Sequence, residues 1–139
     1  MAKADGYGHG LVPAARVAVA GGATWLGAAQ AQEALDLRAA GVTTRLLTWL
    51  AAPGAPYAEL LRADVDVSVA DLWALDAVVA AARATGRTAR VHVKVDTGLG
   101  RNGVMPDEPG DGLARAVRAQ SEGVREVVGI WSHLALADA

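Results

Sequence analysis

The 139-residue chain contains no cysteine. Disulfides, thiolate nucleophiles and cysteine metal ligands are therefore excluded, and no metal is expected. Phenylalanine is also absent, and aromatic residues make up only 4%. Any core must be built from aliphatic side chains and a few tryptophans. Neither sign of charge prevails: 13 Lys and Arg face 15 Asp and Glu, for a formal net charge of −2. Such a balance lacks the basic footprint of a nucleic-acid binder. No apolar run reaches the ~20 residues of a membrane-spanning helix. The N-terminus lacks the charged-then-apolar layout of a secretory signal. The expectation is a cytoplasmic protein with no nucleic-acid or membrane partner.

Hydrophobic residues make up 53% and charged residues 20%, a composition that supports a packed core. Helical and extended patterns alternate along the chain. Residues 11–22 read as a helix ending in glycine, 24–29 as a short buried strand, and 30–41 as a helix capped by Gly41. Residues 44–50 read as a strand, 52–63 as a Pro-rich loop entering a short helix, and 65–69 as a strand. Asp71 then caps a longer helix with Leu72, Leu75, Val79 and Ala82 as its apolar stripe, and Gly86 ends it. The clearest strand is 89–98. A loop with Pro106 and Pro109 leads to a helix near 111–122, and 125–133 is the last strand. Repeated strand–helix alternation marks parallel βαβ units. Periodicity leaves a doubly wound sheet and a (β/α) barrel equally open.

In strand 91–96, Val91, Val93 and Val95 face one way, and His92, Lys94 and Asp96 the other. The apolar row suits packing under helices. The polar row suits an active site near the carboxyl end of a parallel strand. Trp25, Trp49, Trp73 and Trp131 read as core residues, and His9 and His92 as structural histidines. The run "GLGRNG" (98–103) matches G-x-G-x-x-G, but Met105, Pro106 and Pro109 stand where a dinucleotide site requires a helix to begin. Lys3 is either a solvated terminal lysine or a Schiff-base lysine, which needs partial burial to be nucleophilic.

Three stretches, "KADGYGHG" (3–10), "VKVDTGLGRNG" (93–103) and "SHLALAD" (132–138), occur in the order and form found in alanine racemases, and the chain resembles that family along its whole length. The resemblance implies an α/β fold, the N-terminal portion only of a (β/α)8 TIM barrel. Residues 1–139 would form that single portion, with the later barrel strands and a β-domain lying outside the chain. It implies pyridoxal 5'-phosphate as cofactor, alanine as substrate, and a homodimer for the full-length parent. By the same resemblance, Lys3 would carry the cofactor and act as base on one face of the substrate. Tyr7 would lie near the cofactor phosphate. Arg101 would contact the cofactor's phenolic oxygen and the substrate carboxylate. Lys94 would be a carbamylated lysine orienting Arg101. His133 would support an arginine facing the pyridine nitrogen. Gly6, Leu99 and Asn102 depart from residues frequent in the family. The opposite-face base would come from outside the chain, so residues 1–139 alone are expected to be inactive. The alternatives are a racemase of another small amino acid, such as serine, or a non-catalytic pyridoxal-phosphate binder.

Overall fold

The computed structural model describes residues 1–105 and 125–136. The helix expected near 111–122 lies outside them. The strands are β1 (Trp25–Gln30), β2 (Arg45–Leu50), β3 (Asp66–Val69), β4 (Ala89–Val95) and β5 (Arg125–Ser132). They form one sheet in the order β1-β2-β3-β4-β5, every pair parallel. A doubly wound sheet reverses its strand order at a switch point. This one advances in a single direction, as a (β/α) barrel does. Met1 and Ala2 extend it at the β1 edge, where the Ala2 N–H donates to Gly27 O at 2.8 Å.

The helices are α2 (Leu11–Ala20), α3 (Ala31–Ala39), α4 (Tyr57–Arg62) and α5 (Leu72–Thr85), preceded by a short segment, α1 (Lys3–Tyr7). Leu26, Leu46, Val67, Val91 and Val93 are buried on the face that meets Leu37, Leu60, Leu75 and Val78 of the helices. On α5 the buried residues are Ala74, Leu75, Val78 and Ala82. Val78, not Val79, thus completes the stripe. Three- and four-residue steps fit both positions, and the helix rotation seats Val78. The strand expected over 89–98 ends at Val95, because Asp96 turns into a loop.

The other sheet face is polar, and it carries an ionic cluster near the amino ends of the strands. Asp66 is fully buried there between Arg45, Arg90 and His92. Trp25 does not enter the helix-covered core. It is 42% exposed, with the Arg45 guanidinium 4.2 Å from its ring and the His92 ring edge-on to it. Trp73 is also exposed. Trp49 and Trp131 meet edge to face at 6.4 Å, and Trp131 Nε1 donates to Ser68 Oγ at 2.8 Å. The expectation of four core tryptophans therefore fails for Trp25 and Trp73. Strand membership does not say which face Trp25 takes, and the polar face accommodates its indole through edge and cation contacts; Trp73 lies on α5 outside its buried stripe. His92 is a satisfied inner-face residue, as expected, through Asp66. Among the described residues, no helix is long and apolar enough to cross a membrane.

Candidate active site

The stretch that begins at Lys3 is not an irregular loop. Ala4, Asp5, Gly6 and Tyr7 have φ of 53°, 52°, 61° and 57°, a full left-handed turn. Left-handed backbone costs an L-residue roughly 1–2 kcal/mol, and three of these four are not glycine. The turn persists because hydrogen bonds hold it at both ends. The Leu11 N–H donates to Asp5 Oδ1 at 2.7 Å, and Gly8 and Gly10 N–H donate to Asp5 O. On the other side, Ala4 N–H donates to Glu33 Oε1 at 2.8 Å. Gly6 fits because it faces Ala14: a Cβ there would lie 2.7 Å from the Ala14 Cβ.

Lys3 therefore leaves the sheet at the carboxyl end of β1. Its Nζ lies 5.8 Å from the Tyr7 ring centroid, and Tyr7 is largely exposed. Among the described residues no carboxylate forms a salt bridge with Lys3.

The second group lies beyond the carboxyl ends of β4 and β5. Asp96 accepts N–H donations from Gly98 at 2.9 Å and Gly100 at 3.1 Å. Those bonds, from Gly100 first and Gly98 next, hold its carboxyl below the usual range. The two glycine donors are thus turned to a carboxylate, which removes them from any phosphate cradle. The loop returns at Val104, whose N–H donates to Lys94 O while its carbonyl accepts from Asp96 N–H. Gly103 permits this approach, since a Cβ there would lie 2.5 Å from the Asp96 nitrogen. The loop so pinned presents Arg101, whose Nη2 donates to His133 Nδ1 at 3.0 Å. Thr97 and Ser132 hydroxyls meet at 2.6 Å and tie the same loop to β5.

Lys94 and Asp96 are buried, and His92 shares their face. Val91 and Val93 lie under the helices, and Val95 is half-buried. The alternation read from the sequence is the one observed. Lys94 is 2% exposed, its Nζ donates to the Asn102 carbonyl oxygen, and it lies 5.7 Å from the Trp131 ring centroid. Burial lowers its pKa; Asp96 opposes the shift and Arg101 adds to it. Asn102 Oδ1 is buried and has no partner among the described residues.

Lys3 with Tyr7, and Arg101 with His133, thus form two pairs at the same end of the parallel sheet, one at each of its edges. A cleft lies at this rim. That cleft, about 240 Å³, is lined by Trp49, Ser68, Asp71, Trp73, Asn102 and Gly103 and reaches neither Lys3 nor His133. His133 lies against Arg101. Sequence reading missed Glu33, although Gln30-x-x-Glu33 at the head of α3 has the spacing of a capping box.

The family described as alanine racemase, N-terminal domain, matches residues 1–139. An alanine racemase of Beutenbergia cavernae is 66% identical over 138 residues, covering 99% of this chain and 36% of that protein. One of Frankia casuarinae is 56% identical, covering 100% and 36%. Among solved structures, the alanine racemase of the D-cycloserine producer Streptomyces lavendulae superposes with a TM-score of 0.95 at 55% identity, over 98% of this chain and 36% of that one. An E. faecalis alanine racemase gives 0.83 at 38% identity. The chain spans little more than a third of the relatives it matches. The family match over residues 1–139 makes this chain a member of the alanine racemase family through the N-terminal domain.

Proposed function

We propose that this chain is the N-terminal barrel portion of a pyridoxal-phosphate-dependent racemase that interconverts L- and D-alanine for peptidoglycan precursors. The reading includes a cytoplasmic homodimer as the working form. The observation that carries it is Lys3 with its Tyr7 neighbour on the carboxyl rim of a family-typical sheet. The donor set fits the cofactor: a primary amine without a salt bridge among the described residues, a phenol beside it, and a guanidinium backed by an imidazole across the rim. When bound, the cofactor withdraws electrons from the substrate Cα and makes its proton removable.

The chain's residues then have separate tasks. Lys3 would hold the cofactor and move the Cα proton on one face. Tyr7 would serve the phosphate side of the site. Arg101 would bind the substrate carboxylate and the cofactor's phenolic oxygen, for which a guanidinium fork is suited. His133 fixes Arg101 through Nδ1, so its own ring proton sits on Nε2. Lys94 orients the loop that carries Arg101 through the Asn102 carbonyl. Its lowered pKa favours the free amine, the form that takes up carbon dioxide to give a carbamate and a proton. Such a carbamate would be an anion facing Arg101.

The test joins the chain to the C-terminal portion of a homologous racemase, adds pyridoxal phosphate, and follows exchange of the Cα proton in heavy water. Alanine of either hand should exchange, serine much more slowly, and Lys3→Ala should abolish both. Residues 1–139 alone should not turn over. Faster exchange of serine, or turnover by the chain alone, would overturn the reading.

A further inference from the structure

The Glu33 carboxylate makes three hydrogen bonds, and they do not all belong to its own helix. Oε2 accepts from Gln30 N–H at 3.0 Å and from Ala29 N–H at 2.9 Å. These close the junction of β1 and α3, as an ordinary capping residue does. Oε1 accepts from Ala4 N–H, 29 positions away, at 2.8 Å. Ala4 follows Lys3 directly and is the first residue of the left-handed turn. A cap alone would leave Oε1 to solvent. Here it reaches across to the adjacent chain segment and fixes the peptide that joins Lys3 to the turn.

From this geometry we propose that Glu33 is a positioning residue for Lys3, a role that rests on the proposed function. It holds the Lys3–Ala4 peptide against the carboxyl end of β1, so that the lysine side chain leaves the rim in one direction. Ala2 N–H, bonded to Gly27 O, fixes the backbone just before Lys3, and Glu33 fixes it just after. Both anchors lie on β1 or at its junction with α3, so the lysine moves as part of the sheet. Asp5 closes the far end of the turn through Leu11 and is not interchangeable with Glu33. Only a carboxylate serves here. The site presents three N–H donors to two oxygens, and a carboxamide would offer one oxygen and turn an NH2 toward a donor. Aspartate is one methylene too short to span Ala4 and Gln30 together.

The test uses the joined racemase polypeptide with three variants: Glu33→Gln, Glu33→Asp, and Asp71→Ala, which removes the cap of α5 and leaves the Lys3 region alone. Glu33→Gln should lower kcat about tenfold to a hundredfold, the scale of a small misplacement of a reacting group, with KM for alanine changed by no more than about threefold. In cofactor-free protein the Ala4 amide should exchange with solvent at least about tenfold faster, and the rate of Lys3 acetylation should change. Glu33→Asp should reproduce these effects, which keeps the test open if Glu33→Gln folds poorly. Asp71→Ala should lower stability without any of them. A Glu33→Gln kcat within about twofold of the parent, unchanged Ala4 exchange, or losses that match Asp71→Ala at equal stability would each overturn the proposal. Exchange and acetylation are read without cofactor. A parent that forms no cofactor adduct, while Ala4 is still released in Glu33→Gln, would sink the functional reading and leave the tether standing.

Discussion

Replacing Asp66 by asparagine tests the polar face of the sheet. Asp66 Oδ1 accepts from Arg90 Nε at 2.5 Å, and Oδ2 from Arg45 Nε at 3.1 Å, with His92 Nε2 at 3.3 Å from Oδ2. The Asp66 side chain is 0% exposed, whereas Arg45 and Arg90 are 40% and 29% exposed. Breaking a buried pair from one side costs about 3–5 kcal/mol. The arginines can turn toward water, so Asp66→Asn should fall at the low end, about 3 kcal/mol in a urea titration. Burial raises the Asp66 pKa, but hydrogen bonds from His92, Arg90 and Arg45 outweigh it, and the net shift is downward. The folded pKa thus lies below the unfolded value near 3.8. Its contribution is complete well above pH 4 and is lost as pH falls through the folded pKa. The penalty of Asp66→Asn should accordingly shrink on acidification. Asp64, 74% exposed against the same Arg90, is the control, and Asp64→Asn should cost less than about 1 kcal/mol. An Asp66→Asn cost below about 1 kcal/mol, or one that grows toward low pH, would refute the reasoning.

Arg38 donates to four carbonyls, of Val42, Thr44, Ala63 and Asp64, and so ties together the loops ahead of β2 and β3. Arg38→Met should cost about 3 kcal/mol, because it leaves partly buried carbonyls without their charged donor; a thermal shift of under a degree would contradict this. Gly103→Ala places a methyl against the Asp96 backbone at a φ of +133°. It should release the Asp96 amide, seen as faster hydrogen exchange, and loosen Arg101 from His133; unchanged protection of that amide would contradict the loop geometry.

The parallel sheet was legible because β1, β2 and β3 are short runs each followed by a helix, and Gly41 and Gly86 mark readable stops after α3 and α5. Asp71 and Gly86 bound α5 as read. The alternation Val91–Asp96 exposed the two sheet faces, since side-chain period in a strand leaves no freedom. Strand order was not legible, because each βαβ unit looks alike whichever neighbour it joins; only the pairing distinguishes a barrel from a doubly wound sheet. The left-handed turn after Lys3 was hidden too. Glycines at 6, 8 and 10 permit it, but Ala4, Asp5 and Tyr7 adopt it only because Glu33 and Asp5 hold the backbone. Glu33 was overlooked because one of its bonds crosses 29 residues. The Arg101–His133 contact spans 32 residues and was reachable only through family resemblance. Trp25 misled because aromatic character in a strand does not identify the face it occupies.

The role of Lys3 is most directly tested by borohydride fixation of pyridoxal phosphate on the joined polypeptide, followed by peptide mass mapping. Two lysines of this chain compete for the label: Lys3, at the rim beside Tyr7, and Lys94, buried against Asn102 and Trp131 with its pKa lowered by that burial. Position and access to the rim should decide over basicity. The expected result is a single adduct on Lys3, absent in Lys3→Ala and unaffected by Lys94→Gln. An adduct on Lys94, or label spread over surface lysines with Lys3 no more reactive than the rest, would contradict it.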